Sequence, residues 1–429
     1  MQVYLTGLGC RLNEAELEQW ARTLRDQGHV TVPQAGGAEM IVVNTCAVTA
    51  EAGRKSRKLL RSLHRKNPTA PLVVTGCYSE LHAGETAAIP GVDLVVPNGK
   101  KDQLIEIVSD KLDLRAMPVM AKDPDSSHVY SSSDRTRAFI KVQDGCRNRC
   151  TFCIVTIARG NERSRPIGEI VGEVNQLHQA GHQEAVLTGV HLGGYGGDQN
   201  TDLFCLVETL LAETTIPRVR LSSLEPWDIP EHFWQLWANP RLMPHLHLPL
   251  QSGSDTVLKR MARRCDTASY QKLVCSARQR IPGLSITSDV IVGFPGETEQ
   301  EWAETVDFVQ SMEFAHIHIF SYSPRAGTKA ATLTDRVPNQ TQRQRSEQLH
   351  QIAARMKRNQ LRSQVGQQRA VLWEGSGVSD GDQIRWSGYT DNYLRVETRV
   401  DMDQDLENHI TSAHFTGVES GRLLATVVG

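Results

Sequence analysis

The chain has 429 residues and a formal net charge of −2. That is length for two to four domains with cores of their own, and it leaves no bulk charge to draw the molecule toward a polyanion. No 18-residue apolar run and no basic-then-apolar leader occurs, which excludes a membrane-spanning class and predicts a cytosolic (cytoplasmic) protein. Nine cysteines in a reducing compartment point to metal or redox use rather than to a disulfide framework.

Residues 1–112 alternate apolar runs with helical patterns: Val3-Tyr4-Leu5-Thr6, a helix near 14–27, Met40-Ile41-Val42-Val43, a helix near 50–66, then Leu72-Val73-Val74-Thr75. A β-α-β-α-β order predicts an open, parallel, doubly wound sheet. Cys10, Cys46 and Cys77 each follow one of these strands. Ligands of such sheets bind along the carboxyl edge, so three cysteines more than thirty residues apart are expected to converge there as a second metal site. Buried thiols acting as small apolar side chains are the alternative. The second helix carries Arg54, Lys58, Arg61 and Arg65 at i, i+4, i+7 and i+11, a basic face suited either to phosphate or to plain solvation.

Pro, Asp and Ser enrichment marks 113–134 as a linker. Beyond it, strands are expected at 138–142, 184–188, 218–222, 245–248, 286–292 and 315–320 with helices between them, a partial six-unit barrel over 135–365. Just after the first of these strands stand Cys146, Cys150 and Cys153 in a C-x3-C-x2-C spacing. A structural zinc commonly takes four ligands, and no fourth is evident nearby, so a partial zinc site is the poorer reading. An iron-sulfur cube held by three thiolates keeps one iron open for a small molecule.

Polar and glycine-rich residues follow the other strand ends, where a barrel binds its ligands. Thr188, Gly189, Ser222, Glu225, Gln251 and Gly293 are the candidates for holding the amine, carboxylate or ribose of a nucleoside cofactor. His191 and His247 receive no catalytic role. Arg135, Arg137, Arg147, Arg149, Arg159, Arg163 and Arg165 around the cysteine loop suggest an anionic substrate or a counter-charge for a cluster, and Arg343, Arg345, Arg355, Lys357, Arg358 and Arg362 sit on a later helix. Residues 366–429 read as short strands joined by polar turns, among them Gly375-Ser376-Gly377 and Ser379 to Asp382, a small antiparallel β-barrel of the kind that binds RNA through aromatics, here Trp386, Tyr389 and Tyr393. Cys205, Cys265 and Cys275 have no ligand-like spacing and are expected to be structural.

With an aromatic before its last cysteine, the C-x3-C-x2-C motif resembles the radical S-adenosylmethionine signature, and the whole layout resembles the methylthiotransferases, the last 64 residues resembling that family's TRAM domain. Leu8-Gly9-Cys10-Arg11-Leu12-Asn13, Lys141 to Cys146 and Ala158-Arg159-Gly160 are similar to the branch acting on tRNA N6-threonylcarbamoyladenosine beside the anticodon, although Glu14 stands where that branch commonly has Gln and Thr156-Ile157 where it commonly has Pro-Tyr. The resemblance implies two 4Fe-4S clusters, one on Cys10, Cys46 and Cys77 and one on Cys146, Cys150 and Cys153, and two molecules of S-adenosylmethionine. One of these methylates a sulfur on the first cluster; the other is cleaved at the second to a radical that removes the C2 hydrogen of the adenine. It also implies a sulfur donor and an electron donor such as flavodoxin or ferredoxin. The other outcomes to be distinguished are the isopentenyladenosine branch, the branch modifying an aspartate of a ribosomal protein, and a non-catalytic RNA-binding redox sensor. Removal of the β-barrel is expected to weaken tRNA binding while sparing cleavage of S-adenosylmethionine.

Overall fold

The structure, a computed structural model, describes residues 1–112 and 136–428. The proposed linker, and Arg135 with it, lies outside the described residues.

The first unit is a five-stranded sheet, all parallel, of β1 (Gln2–Gly7), β2 (Val30–Thr31), β3 (Met40–Thr45), β4 (Leu72–Gly76) and β5 (Val92–Val95), in the order β2-β1-β3-β4-β5. Strand residues alternate between two cores. Val3, Leu5, Val42 and Val73 pack under α1 (Arg11–Asp26), while Ile41, Val43, Leu72 and Val74 pack under α2 (Ala50–Lys66). Both faces are therefore covered, which is why these strands read as unbroken apolar runs rather than as alternating ones. Strands β2 and β5 escape sequence reading because one has two residues and the other is only half-buried. Three further helices, α3 (Cys77–Leu81), α4 (Ala83–Ala87) and α5 (Leu104–Lys111), complete the unit.

The second unit contains six parallel strands in two sheets. One joins β6 (Arg137–Lys141), β9 (Glu184–Thr188) and β10 (Arg218–Leu221); the other joins β11 (His245–His247), β12 (Ser285–Val292) and β13 (His316–Ser321). Parallel bridges at Val219–Leu242 and Ser223–His247 link the two sheets into the expected open barrel. A small antiparallel hairpin, β7 (Gln143–Asp144) with β8 (Arg163–Ser164), brackets the cysteine loop and α6 (Val155–Arg159). Outside the barrel run α7 (Ile167–Gln179), α8 (Leu203–Glu213), α9 (Asp255–Arg260), α10 (Thr267–Arg280), α11 (Glu299–Ser311) and α12 (Asn339–Arg362). The first unit packs on the edge strand β6, where Ala15 of α1 meets Phe139 and Val186.

The third unit is a closed five-stranded barrel of β14 (Gln368–Asp380), β15 (Gln383–Thr390), β16 (Arg395–Asp401), β17 (Ile410–Glu419) and β18 (Arg422–Val428). The expected turn at Gly375-Ser376-Gly377 is instead a bulge inside β14, with the register shifting between Glu374 and Val378. Trp386 is not an RNA-facing aromatic, because it packs in this barrel's core with Trp373 and Phe415. Tyr389 and Tyr393 stack on one another with ring centroids 4.9 Å apart, under the guanidinium of Arg137 from the central unit. They face inward, toward the rest of the molecule.

Candidate active site

The strand order puts β1 beside β3 with α1 and α2 on opposite faces, so the topological switch point lies between Cys10 and Cys46. A Cβ built on Gly9 would fall 2.9 Å from the Cys46 sulfur. Cys77 joins them because Gly76 takes φ +108°, in a space where a Cβ would lie 2.2 Å from the Thr45 carbonyl oxygen. Only glycine fits there. Burial raises the Cys46 thiol, and the neighbouring Cys10 and Cys77 add to the rise. Cys46 and Cys77 are buried; Cys10 is exposed and opens on a mouth shared with Arg11, Phe139, His318 and Phe320.

The second triple is set by Gly145, at φ +74° with a hypothetical Cβ 1.9 Å from the Asn161 carbonyl oxygen. The loop is then pinned through its backbone. Cys146 N–H donates to the Gly160 carbonyl (3.1 Å), Cys153 N–H to Cys150 (3.1 Å) and Thr151 N–H to Met261 (3.0 Å). Burial pushes Cys146 up to about 11 and Cys153 up to about 12, with the neighbouring thiols contributing. Cys150 is also raised by burial, against the pull of Arg263, whose Nη1 stands 3.8 Å from its sulfur.

These donor sets suit clusters rather than single ions. A structural zinc commonly takes four ligands, and each triple supplies three. Glu162 and His191 do approach Cys146 within 4.8 Å. Both ring nitrogens of His191 are nonetheless engaged, Nδ1 with Glu162 and Nε2 with Asp228, each at 2.5 Å. Three thiols with no spare fourth donor among the described residues fit a cube with one open iron.

Of the expected cofactor contacts, Thr188 and Gly189 end β9 against the loop. Gln143 links them to it, accepting from His191 N–H (2.9 Å) and donating to the Gly145 carbonyl (2.7 Å), with Gly189 packed on its side chain. Glu225 is held by Arg263 through two contacts of 3.2 and 2.6 Å, so it positions that arginine beside Cys150. Ser222 borders a large cavity, its buried Oγ without a partner. Gln251 takes φ +77° and donates its N–H to Asp289. Gly293 differs: its N–H goes to Glu297, and Gln342 of α12 fills the space above it, which makes it a packing junction.

The chain matches the model of the radical SAM superfamily over residues 140–309 and that of Uncharacterized protein family UPF0004 over residues 2–97. It is 36% identical to the threonylcarbamoyladenosine tRNA methylthiotransferase MtaB of Bacillus subtilis, covering 91% of this chain and 88% of that one, and 36% identical to its Thermotoga maritima namesake, covering 92% and 91%. The chain belongs to the methylthiotransferase family. It is also 31% identical to the tRNA-2-methylthio-N(6)-dimethylallyladenosine synthase of Bacillus velezensis, over 93% of this chain and 81% of that one. Among solved structures, the radical S-adenosylmethionine methyltransferase TsrM of Kitasatospora setae shares the fold, with a TM-score of 0.59, 15% identity and 77% of each chain covered.

In this methylthiotransferase one buried hub bolts the two cysteine sites together. Arg159 donates to Asp144 (2.9 Å), the residue before Gly145-Cys146, to Glu16 on α1 (3.1 Å), and to Asn13 (2.7 Å), whose Oδ1 lies 3.9 Å from the Cys10 sulfur. Glu16 also accepts from Lys101 (2.7 Å) and Asn44 (2.8 Å). Sequence reading places Arg159 among candidate substrate contacts, but it is fully buried and committed to this hub. Arg137 is likewise tied to Glu374, Arg165 to Glu173, and Arg345 to Glu297 and Glu299. Arg147 and Arg149 remain exposed at the loop. The hub, Arg263 and the Glu162–His191–Asp228 row escape sequence reading because their partners lie tens to more than a hundred residues apart, with no local pattern to mark them.

Proposed function

We propose that the protein places a methylthio group on C2 of N6-threonylcarbamoyladenosine in tRNA, beside the anticodon, in the cytoplasm. The observation that carries this reading is the pair of cysteine triples held in fixed relation by Arg159. Cys146, Cys150 and Cys153 would hold a 4Fe-4S cluster with S-adenosylmethionine, and Cys10, Cys46 and Cys77 a second cluster. When bound, these groups supply radical C–H abstraction at C2 and the methylthio group that replaces the hydrogen. An aromatic C–H of that kind is beyond any side-chain base with a pKa near the working pH.

The chain's own part is positioning and exclusion. Gly145 and Gly76 set the turns that present Cys146 and Cys77; Glu225 aims Arg263 at Cys150; Gln143 ties the loop to Thr188 and Gly189. The exposed Phe320 stands at the mouth beside Cys10, placed to stack on a flipped base. Arg54, Lys58, Arg61 and Arg65, all exposed on α2, provide the local basic face that a chain of charge −2 needs to hold RNA. A flavodoxin or ferredoxin would deliver the electron, and a separate donor would renew the sulfur.

Nucleoside analysis of tRNA from a strain lacking this protein tests the reading. The methylthio derivative of N6-threonylcarbamoyladenosine should vanish and return on complementation. If only the dimethylallyladenosine derivative vanishes, the substrate assignment is wrong. A non-catalytic sensor would release no 5′-deoxyadenosine from the reduced, reconstituted protein.

A further inference from the structure

Inside the central barrel, closed off below by Tyr389 and Tyr393 of the third unit, lies a cavity of about 450 Å³, within the range of small-molecule sites. Its charge is one-sided. Arg11, Arg137, Arg220, Lys357 and Arg395 border it, and no carboxylate does among the described residues. Glu374 balances Arg137 and Glu184 balances Arg220 from behind. Arg11 donates to the Tyr393 hydroxyl at 2.8 Å and lies 4.9 Å over the Phe139 ring.

Three residues of its lining also carry a buried polar atom that is not hydrogen-bonded. Arg220, 2% exposed, has its Nη1 without a partner, as have the buried Nδ1 of His245 and Oγ of Ser222. Buried polar atoms in native proteins are normally paired, so these three have hydrogen-bonding capacity left over. The surrounding groups register the field: burial would raise the Tyr393 hydroxyl, yet Arg137, Arg11 and Arg220 hold it below its ordinary value, and His316 is pushed down to about 4 by burial and by His318 and Lys357. The cavity adjoins the mouth at Cys10, the two sharing Arg11, Arg137 and His318.

We infer that this cavity receives the N6 substituent of the target adenosine, its carboxylate seated among Arg11, Arg220 and Lys357. The inference rests on the proposed function and deepens it. A threonylcarbamoyl group carries a carboxylate and a hydroxyl, which suit a cationic and polar lining; a dimethylallyl group has neither and would desolvate those side chains without a partner. His247, Asp289 and His318 also bring donor atoms within 4.8 Å of one another, a set that metals use, but Arg11 borders the same space and opposes a cation there; His318 is held below its ordinary value by burial first and then by His247 and Arg11, against Asp289.

The test uses the reconstituted holoenzyme and anticodon stem-loop RNAs bearing N6-threonylcarbamoyladenosine or its carboxylate methyl ester, with binding read by fluorescence anisotropy and methylthio product by mass spectrometry. Wild type should bind the free acid about tenfold or more tighter than the ester. Arg11→Gln and Lys357→Met should both shrink that ratio toward one, Lys357 being far in sequence from either cysteine triple and so a check against simple loss of a cluster. Equal binding of acid and ester by wild type, or an unchanged ratio in both variants, overturns the inference. Absence of methylthio product from wild type would instead overturn the proposed function, while the acid-to-ester ratio would still decide the pocket.

Discussion

Gly145 is the residue whose backbone most directly decides whether Cys146 can bind metal. Its positive φ and the Asn161 carbonyl leave no room for a methyl group, so Gly145→Ala must move the loop. Iron analysis of the reconstituted variant should show about four irons where wild type holds about eight, with the loss confined to the S-adenosylmethionine site. Glu16 makes a second prediction. Its burial opposes ionisation, but Lys101, Arg159 and Lys141 outweigh it and hold the carboxyl well below its ordinary value. Burial pulls Lys101 down in spite of Glu16, whereas Arg159 and Lys141 are raised; Lys101, at 2.7 Å, still does most to keep the carboxylate charged, followed by Arg159 and Lys141. A group depressed on folding stabilises above its unfolded pKa and loses that stability as pH falls through the folded one. Glu16→Gln should cost about 3–5 kcal/mol at neutral pH by stranding buried cations, and its melting temperature should fall less steeply than wild type below the ordinary Glu range. The cysteines were legible in the sequence because spacing and strand ends mark them. Arg159 was not, since nothing in Ala158-Arg159-Gly160 says that its partners are Glu16 and Asp144.

Among the elements, the strands buried on both faces and the long helices were readable, and the failures share a cause. A two-residue β2 offers no period to detect, and the bulge at 375–377 carries the same glycines as a turn. Helix α2 matches its expected bounds, with Leu60 and Leu63 buried and Arg54, Lys58, Arg61 and Arg65 outward. Reversing those four charges should weaken tRNA binding and flatten its salt dependence by roughly 0.7–0.9 in log–log slope for each phosphate that is no longer neutralised. Titrations at two salt concentrations measure this, and an unchanged slope would mean that the face is merely solvated.

At the scale of the whole molecule, the order of the three units was legible but their interlocking was not. Arg11 reaches Tyr393 across 382 positions, Arg218 donates to the Tyr389 and Ala370 carbonyls, and Asn392 donates to Gly283. The third unit thus closes the central barrel. The expectation that its removal spares cleavage of S-adenosylmethionine gives way to a different one. A chain ending near residue 365 would strip Arg137 and Arg218 of these partners and uncover the surface that the third unit packs on, and should melt lower and lose both tRNA binding and cofactor cleavage, as differential scanning fluorimetry and 5′-deoxyadenosine release would show.

The central claim is that two separate cysteine triples serve one reaction with divided labour. It is tested most directly by replacing Cys10, Cys46 and Cys77 together with Ala and measuring iron, 5′-deoxyadenosine and methylthio product on the same reconstituted sample. The account predicts about four irons instead of about eight, continued reductive cleavage of S-adenosylmethionine, and no methylthio product. Loss of all iron, or methylthio product formed without these three cysteines, would contradict it.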